Sequence, residues 1–408
     1  ALSSDSVAFI GSDEVGALES DGTLRVWNFL SEAGGAFRGH TAFVYGVGEL
    51  PDCGLIVSGG WDGWRGDAGS LRVWDASTGT PIAALLAPGE IVMSMDVCAR
   101  RSRIAAAVWR DRASKDFRVE LLDAPSGARS SIPSDAPVYA VALDPAGSRL
   151  AFAPQGALEL VDLDTLQTLR SLPLADCPRV MCMAWSHDGR RVAASTSSIP
   201  DMSTSVQSEL LLLDAHTLTI ERRLGLGMAF GMAFSPDDSA LALAGADGRV
   251  RVVDIATGTV VAELVGHDAA VMCVDFSPDG KRIASGGLDQ NVRLWDAATF
   301  DSVARLGGPT DYVRALAWDE SGERLIAGSG DGSVRVWEPE PMRTRLAHRA
   351  DRERALARVE PLVAGWFAEL RESERVAERV TADTTLSEFE RKIARQLVLQ
   401  RALDVRTK

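Results

Sequence analysis

The sequence predicts an all-β chain of radially repeated four-stranded units, a β-propeller of eight blades with seven as the alternative, followed by a small α-helical C-terminal extension. Three observations carry this expectation. A short apolar strand ending in Trp-Asp, or a weaker equivalent, recurs eight times with a mean spacing of about 44 residues, within the roughly 40–45 that one blade requires. Each recurrence sits in the same order of apolar strand, Asp/Gly/Ser turn, small-residue strand, loop, strand ending in Trp-Asp, and more polar strand. After Arg343 the alternation stops and apolar residues take helical spacing, which divides the chain into a propeller over 1–347 and an amphipathic helical tail over 348–408.

In chain order the marker strands are "TLRVWN" ending at Asn28, "SLRVWD" at Asp75, "RVELLD" at Asp123, "LELVD" at Asp162, "LLLLD" at Asp214, "VRVVD" at Asp254, "VRLWD" at Asp296 and "VRVWE" at Glu338. The most regular unit is "GHDAAVMCVDFSPDGKRIASGGLDQNVRLWD", residues 266–296. One unit cannot bury both faces of a small sheet, so stability has to come from each blade packing on its neighbours around a channel. The first unit starts directly at "SVAFIGS", and closing the ring requires a fourth strand for the last unit, either from "MRTRL" or from a segment preceding the chain.

Composition removes several classes. An apolar share of 46% with 25% charged residues is that of a globular chain. There is no apolar run of about 20 residues and no signal-type N-terminus, so no membrane span and a cytoplasmic location are expected. The five cysteines lie in apolar runs or singly near turns, which argues against a disulfide framework. Five histidines and the Cys177/Cys182 spacing fit no metal pattern, and no cofactor is expected. From residue 341 onward 15 Lys/Arg and 11 Asp/Glu give +4, against −18 for residues 1–340, so nucleic acid is a poor principal ligand.

The repeat order and its motifs resemble the WD40-repeat family over roughly residues 5–347. That resemblance implies a buried relay of His, Ser or Thr, Asp and Trp inside a blade. Two units match all four positions, with His40, Ser58, Asp62 and Trp74 in one and His267, Ser285, Asp289 and Trp295 in the other. The relay reading makes these sets structural clips and not hydrolase triads. No catalytic residue is assigned, and an enzyme is not expected. An enzymatic or small-molecule-binding propeller stands as a lesser alternative.

Unequal insertions point to a working face. Long connections at 59–70, at "RDRASKD" and at 196–208 join the second and third strands of their units. In the resembling architecture these loops share one face with the entries to the innermost strands. Alignment of the repeats places Ser6, Phe43, Ile91, Pro137, Arg179, Met228, Ala270 and Tyr312 just ahead of those strands, with Trp61, Trp64 and Trp109 in or beside the loops. An apolar, aromatic patch of this kind is the signature of a protein-binding surface. The candidate partner-binding set is therefore Phe43, Trp61, Trp64, Ile91, Trp109, Arg179, Met228 and Tyr312.

In the tail, Pro361 is expected to open a helix, and Thr385 with Glu388 has capping-box spacing ahead of the stripe Leu386, Phe389, Ile393 and Leu397. Trp366, Phe367, Phe389, Ile393 and Leu397 are candidate docking residues for a partner in a multisubunit complex or for self-association. The tail resembles helical segments that follow WD40 arrays in bacterial proteins carrying Ser/Thr kinase domains, although no kinase motif is present in this chain. The functional expectation is a non-catalytic interaction scaffold or sensor subunit, with the regulatory part of a larger kinase or switch ATPase as the alternative.

Overall fold

The computed structural model describes residues 7–9, 14–18, 24–28, 36–62, 70–110, 116–124, 126–174, 179–197, 208–337 and 342–404. Seven four-stranded antiparallel sheets form a ring among these residues. Their innermost strands, in ring order, are Val44–Leu50 (blade I), Ile91–Cys98 (II), Val138–Leu143 (III), Arg179–Trp185 (IV), Ala229–Phe234 (V), Val271–Phe276 (VI) and Val313–Trp318 (VII). Each packs on the next, and Val313–Trp318 packs back on Val44–Leu50.

The ring therefore has seven blades, and the expectation of eight is corrected. All eight marker segments are strands, but the first, Leu24–Asn28, lies in a three-stranded sheet with Val7–Phe9 and Glu14–Leu18 that pairs with no other described strand. The next strand, Ala36–Arg38, leaves that sheet and becomes the outermost strand of blade VII, in the register Ser333↔Arg38, Val334↔Phe37 and Arg335↔Ala36. Burial drives this choice: Phe37 enters a cluster with Val44, Ile56, Trp74, Ile326, Val334 and Val336, its ring 5.8 Å from that of Trp74. The segment "MRTRL", a candidate for the closing strand, begins a helix instead.

Local chemistry explains the repeated turns. At Asp75, Asp162, Asp214 and Asp296 the Asp that ends the marker strand bends the following hairpin by accepting backbone N–H bonds two and three residues on, as Asp214 does from His216 (3.0 Å) and Thr217 (2.8 Å). In blade VI the Ser277 hydroxyl donates to Asp279 and accepts the Arg282 N–H at 2.9 Å, while Gly280 takes φ +71°, which only glycine adopts without strain.

Two carboxylates join neighbouring blades. Asp96 accepts the Leu143 N–H of blade III at 2.7 Å, and Asp275, at the same repeat position, accepts the Trp318 N–H of blade VII at 3.0 Å. Burial pushes both carboxyls up to about 6. With a folded-state value above the unfolded one, each group's contribution is fully present below the ordinary carboxylate range and is lost as pH rises to about 6. The buried relay histidines act in the opposite sense, so the comparison has to be with a variant. Asp96→Asn with Asp275→Asn keeps a carbonyl acceptor for each inter-blade N–H and cannot ionise, so its melting temperature rises relative to the wild type as pH goes from 4 to 7. Thermal melts at the two values check this; a gap independent of pH contradicts it.

The tail comprises α1 (Met342–Leu370), α2 (Ser373–Ala382) and α3 (Glu388–Asp404). Pro361 lies inside α1 and does not open a helix. Val359 before it and Val363 and Trp366 after it share one apolar core with Val376, Val380, Leu386, Ile393, Ala394 and Val398, and this packing on both sides offsets the lost hydrogen bond. The capping box of α3 is formed by Ser387 and Glu390 and not by Thr385 and Glu388: the Glu390 N–H donates to Ser387 Oγ (3.2 Å) and the Ser387 N–H to Glu390 Oε2 (2.8 Å). Thr385 instead donates to Asp383. Helix α3 docks on the propeller. Gln396 Nε2 donates to the Cys53 and Gly54 carbonyls at 2.7 and 3.1 Å, and Leu399 is buried with Leu50, Leu55 and Leu122. Cys53 follows the end of the blade I innermost strand, so the tail sits at the opposite end of the channel from the strand entries.

Candidate functional site

The two relays occupy the interiors of blades I and VI. In blade I the Trp74 indole N–H donates to Ser58 Oγ at 2.7 Å, and Ser58 Oγ lies 2.8 Å from His40 Nε2. Tryptophan can only donate, so the serine hydroxyl accepts from it and gives its own proton to His40. His40 then carries its proton on Nδ1 and donates to Asp62 at 3.0 Å; Asp62 also accepts from Thr41 N and Arg72, each at 3.0 Å. Blade VI repeats the chain, with Trp295 to Ser285 at 2.8 Å, Ser285 to His267 Nε2 at 2.8 Å, and His267 Nδ1 to Asp289 at 2.9 Å. Burial holds both imidazoles below the usual histidine value, so they are neutral near pH 7. This is the connectivity of a Ser-His-Asp triad, but Ser58 and Ser285 are fully buried and capped by indole rings, so neither hydroxyl faces an open cavity.

At the strand entries the named side chains divide. Phe43, half-buried, stacks on Trp61 at 5.9 Å, on Tyr45 at 6.1 Å and on Tyr312 at 6.4 Å between ring centroids. Tyr312 is 38% exposed, which leaves the stack open to solvent at the seam of blades VII and I. The Arg314 guanidinium lies 5.0 Å from the Tyr45 centroid and 5.9 Å from that of Phe43. A second group lies at the junction of blades III and IV: Arg179 covers the Tyr139 ring at 4.3 Å and donates to its hydroxyl at 3.2 Å. Trp109 meets the same Tyr139 ring edge-on at 5.1 Å. Trp109 is nevertheless buried, its N–H donating to the Val138 carbonyl at 2.9 Å, so it supports the mouth from beneath. Ile91 and Met228 are half-buried at their own strand entries. Trp64 and Ser6 lie outside the described residues.

Below the mouth the channel encloses about 840 Å³. Its upper wall carries Tyr45, Met93, Tyr139, Met181 and Phe230, each two positions beyond the residue that alignment placed at the strand entry. Sequence reasoning missed these residues, although an aromatic or Met recurs at that aligned position in six of the seven blades, with Arg314 as the exception. At the far end Asp96 and Asp275 line the cavity. Nearby Glu49, paired with Arg324, is pushed up to about 7 by burial. Among the described residues no group of three or more His, Cys, Asp or Glu side chains is arranged to hold a metal ion.

Of the five candidate tail-docking residues, Trp366 and Ile393 are buried in the tail's own core, Phe367 and Leu397 are half-buried against it, and Phe389 is 43% exposed. No described helix is long and apolar enough to cross a membrane.

Three segments, 32–75, 258–296 and 300–338, match the WD40 family profile, described as WD domain, G-beta repeat. The first runs from ahead of the closing strand Ala36–Arg38 to the end of the third strand of blade I, and so includes the relay residues His40 to Trp74. No curated protein matches the chain.

Proposed function

We propose that this seven-bladed β-propeller, three segments of which match the WD40 family, commonly protein-interaction scaffolds, is a non-catalytic scaffold or sensor subunit that grips a protein segment across the channel mouth. The observation that carries this reading is the open aromatic stack of Trp61, Phe43 and Tyr312. Flat aromatic side chains held rigidly by one another lose little entropy on binding and supply most of the energy at interface centres. Helix α3 is engaged on the propeller itself, which, among the described residues, leaves Phe389 and Leu362 as large apolar side chains of the tail open to a second contact, in a multisubunit assembly or with another copy.

Affinity capture from the native lysate tests the mouth. The intact chain, Trp61→Ala with Tyr312→Ala, and Phe389→Ala are compared by mass spectrometry after equal melting temperatures have been established. The expected result is a set of proteins held by the intact chain and by Phe389→Ala but lost from the mouth variant. A captured set that the mouth variant retains in full contradicts the proposal.

A further inference from the structure

The arginines of the propeller usually meet carboxylates: Arg72 lies 3.0 Å from Asp62, Arg149 3.2 Å from Asp144 and Arg282 2.8 Å from Asp296. Arg314 does not. Among the described residues its guanidinium has the faces of Tyr45 and Phe43 for neighbours and makes no ion pair. Arg179 is held in the same way by the Tyr139 ring and hydroxyl. The two belong to the innermost strands of blades VII and IV, three blades apart in a ring of seven, and so stand on opposite sides of the mouth. Residues 1–340 carry a net charge of −18, so a cation at the mouth had many carboxylates from which to gain a partner.

We infer that the mouth selects an acidic linear peptide segment, in which an Asp or Glu carboxylate pairs with Arg314 while an adjacent apolar or aromatic side chain packs on the Phe43–Tyr312 stack. The inference rests on the mouth being the partner-binding surface and adds the chemistry of the partner. An aromatic ring fixes the guanidinium plane while leaving its N–H edge able to take a carboxylate in two parallel hydrogen bonds, so the donor is oriented in advance. Arg179 offers the same arrangement to a second carboxylate farther along the segment. The acidic body repels a polyanion such as nucleic acid, whereas a short segment with one or two carboxylates meets the local cations directly.

The test uses a displayed library of random linear peptides panned on the intact chain, followed by anisotropy measurements on synthesised winners. Winners are expected to carry Asp or Glu beside Leu, Phe or Trp, and their affinity to fall roughly tenfold or more with Arg314→Gln. Arg314→Lys keeps the charge without the planar fork and restores part of the affinity. Changing the peptide Glu to Gln costs affinity against the intact chain but not against Arg314→Gln. Unchanged melting temperatures establish that both variants fold. Winners without carboxylates, or acidic winners indifferent to Arg314→Gln, overturn the inference while leaving the mouth as the binding surface, provided Trp61→Ala with Tyr312→Ala abolishes them. Winners indifferent to that pair overturn the reading of the mouth itself, and a library that yields no winner counts against both.

Discussion

Ser58→Ala lowers the unfolding free energy by about 2–4 kcal/mol, the cost of leaving two buried polar groups unsatisfied. The Ser58 hydroxyl takes the Trp74 N–H at 2.7 Å and gives its proton to His40 at 2.8 Å, and Ser58 is fully buried. With a methyl in its place, the indole N–H and His40 Nε2 both face apolar walls. Ser285→Ala has an effect of the same size for the same reason in blade VI. Ser131→Ala, on the exposed outermost strand of blade II, changes stability by less than about 0.5 kcal/mol. Urea melts of the three variants make the comparison. Equal, small effects at all three sites would mean that the relay is geometry without energetic weight. Partner binding by either relay variant, measured well below its melting midpoint, stays at the wild-type level, because the relay supports the blade from within.

Phe37→Ala costs about 3–5 kcal/mol, the range for emptying a buried aromatic site. Phe37 is 8% exposed, lies against Trp74, and is the central residue of the three-residue strand that closes the ring on blade VII. Deleting residues 1–31 leaves the melting midpoint unchanged, since the three-stranded sheet it removes pairs with no other described strand. Extending the deletion through residue 38 removes the clasp and lowers the midpoint sharply. An eight-bladed ring predicts the reverse order, with the first deletion already opening the circle. Calorimetry on the two truncations distinguishes the architectures.

The repeat period was legible because each unit carries an apolar third strand ending in Trp-Asp or a weaker equivalent, and in several of them the Asp bends the next hairpin. The blade number was not, because that pattern marks a strand and says nothing about its neighbours. Leu24–Asn28 carries the marker, yet the strand following it, Ala36–Arg38, pairs with residues 333–335, almost three hundred positions away. Both relays were readable from their His, Ser, Asp and Trp spacing. The mouth was readable in part. Phe43, Trp61 and Tyr312 do come together, whereas Trp109 turns inward because the Val138 carbonyl of the adjoining blade accepts its N–H. Tyr45, Tyr139 and Arg314 were not legible from strand entries alone, because a bulge at the second strand residue shifts the register, as between Val44 and Gly46. Asp96 and Asp275 look like ordinary strand carboxylates until the neighbouring blade supplies the N–H groups they accept. In the tail, Ile393 and Leu397 of the expected stripe do face the tail's own core, but Leu386 precedes α3 and Phe389 on the same helix is 43% exposed, which only the tertiary packing shows.

Hydrogen exchange of the intact chain, with and without a partner captured through the mouth, tests the central claim most directly. The account predicts added protection over residues 43–45, around Trp61 and over 312–314, with α3 and the turn at residues 51–54 unchanged. Protection confined to the helical tail, or to the outermost strands of the blades, would contradict it.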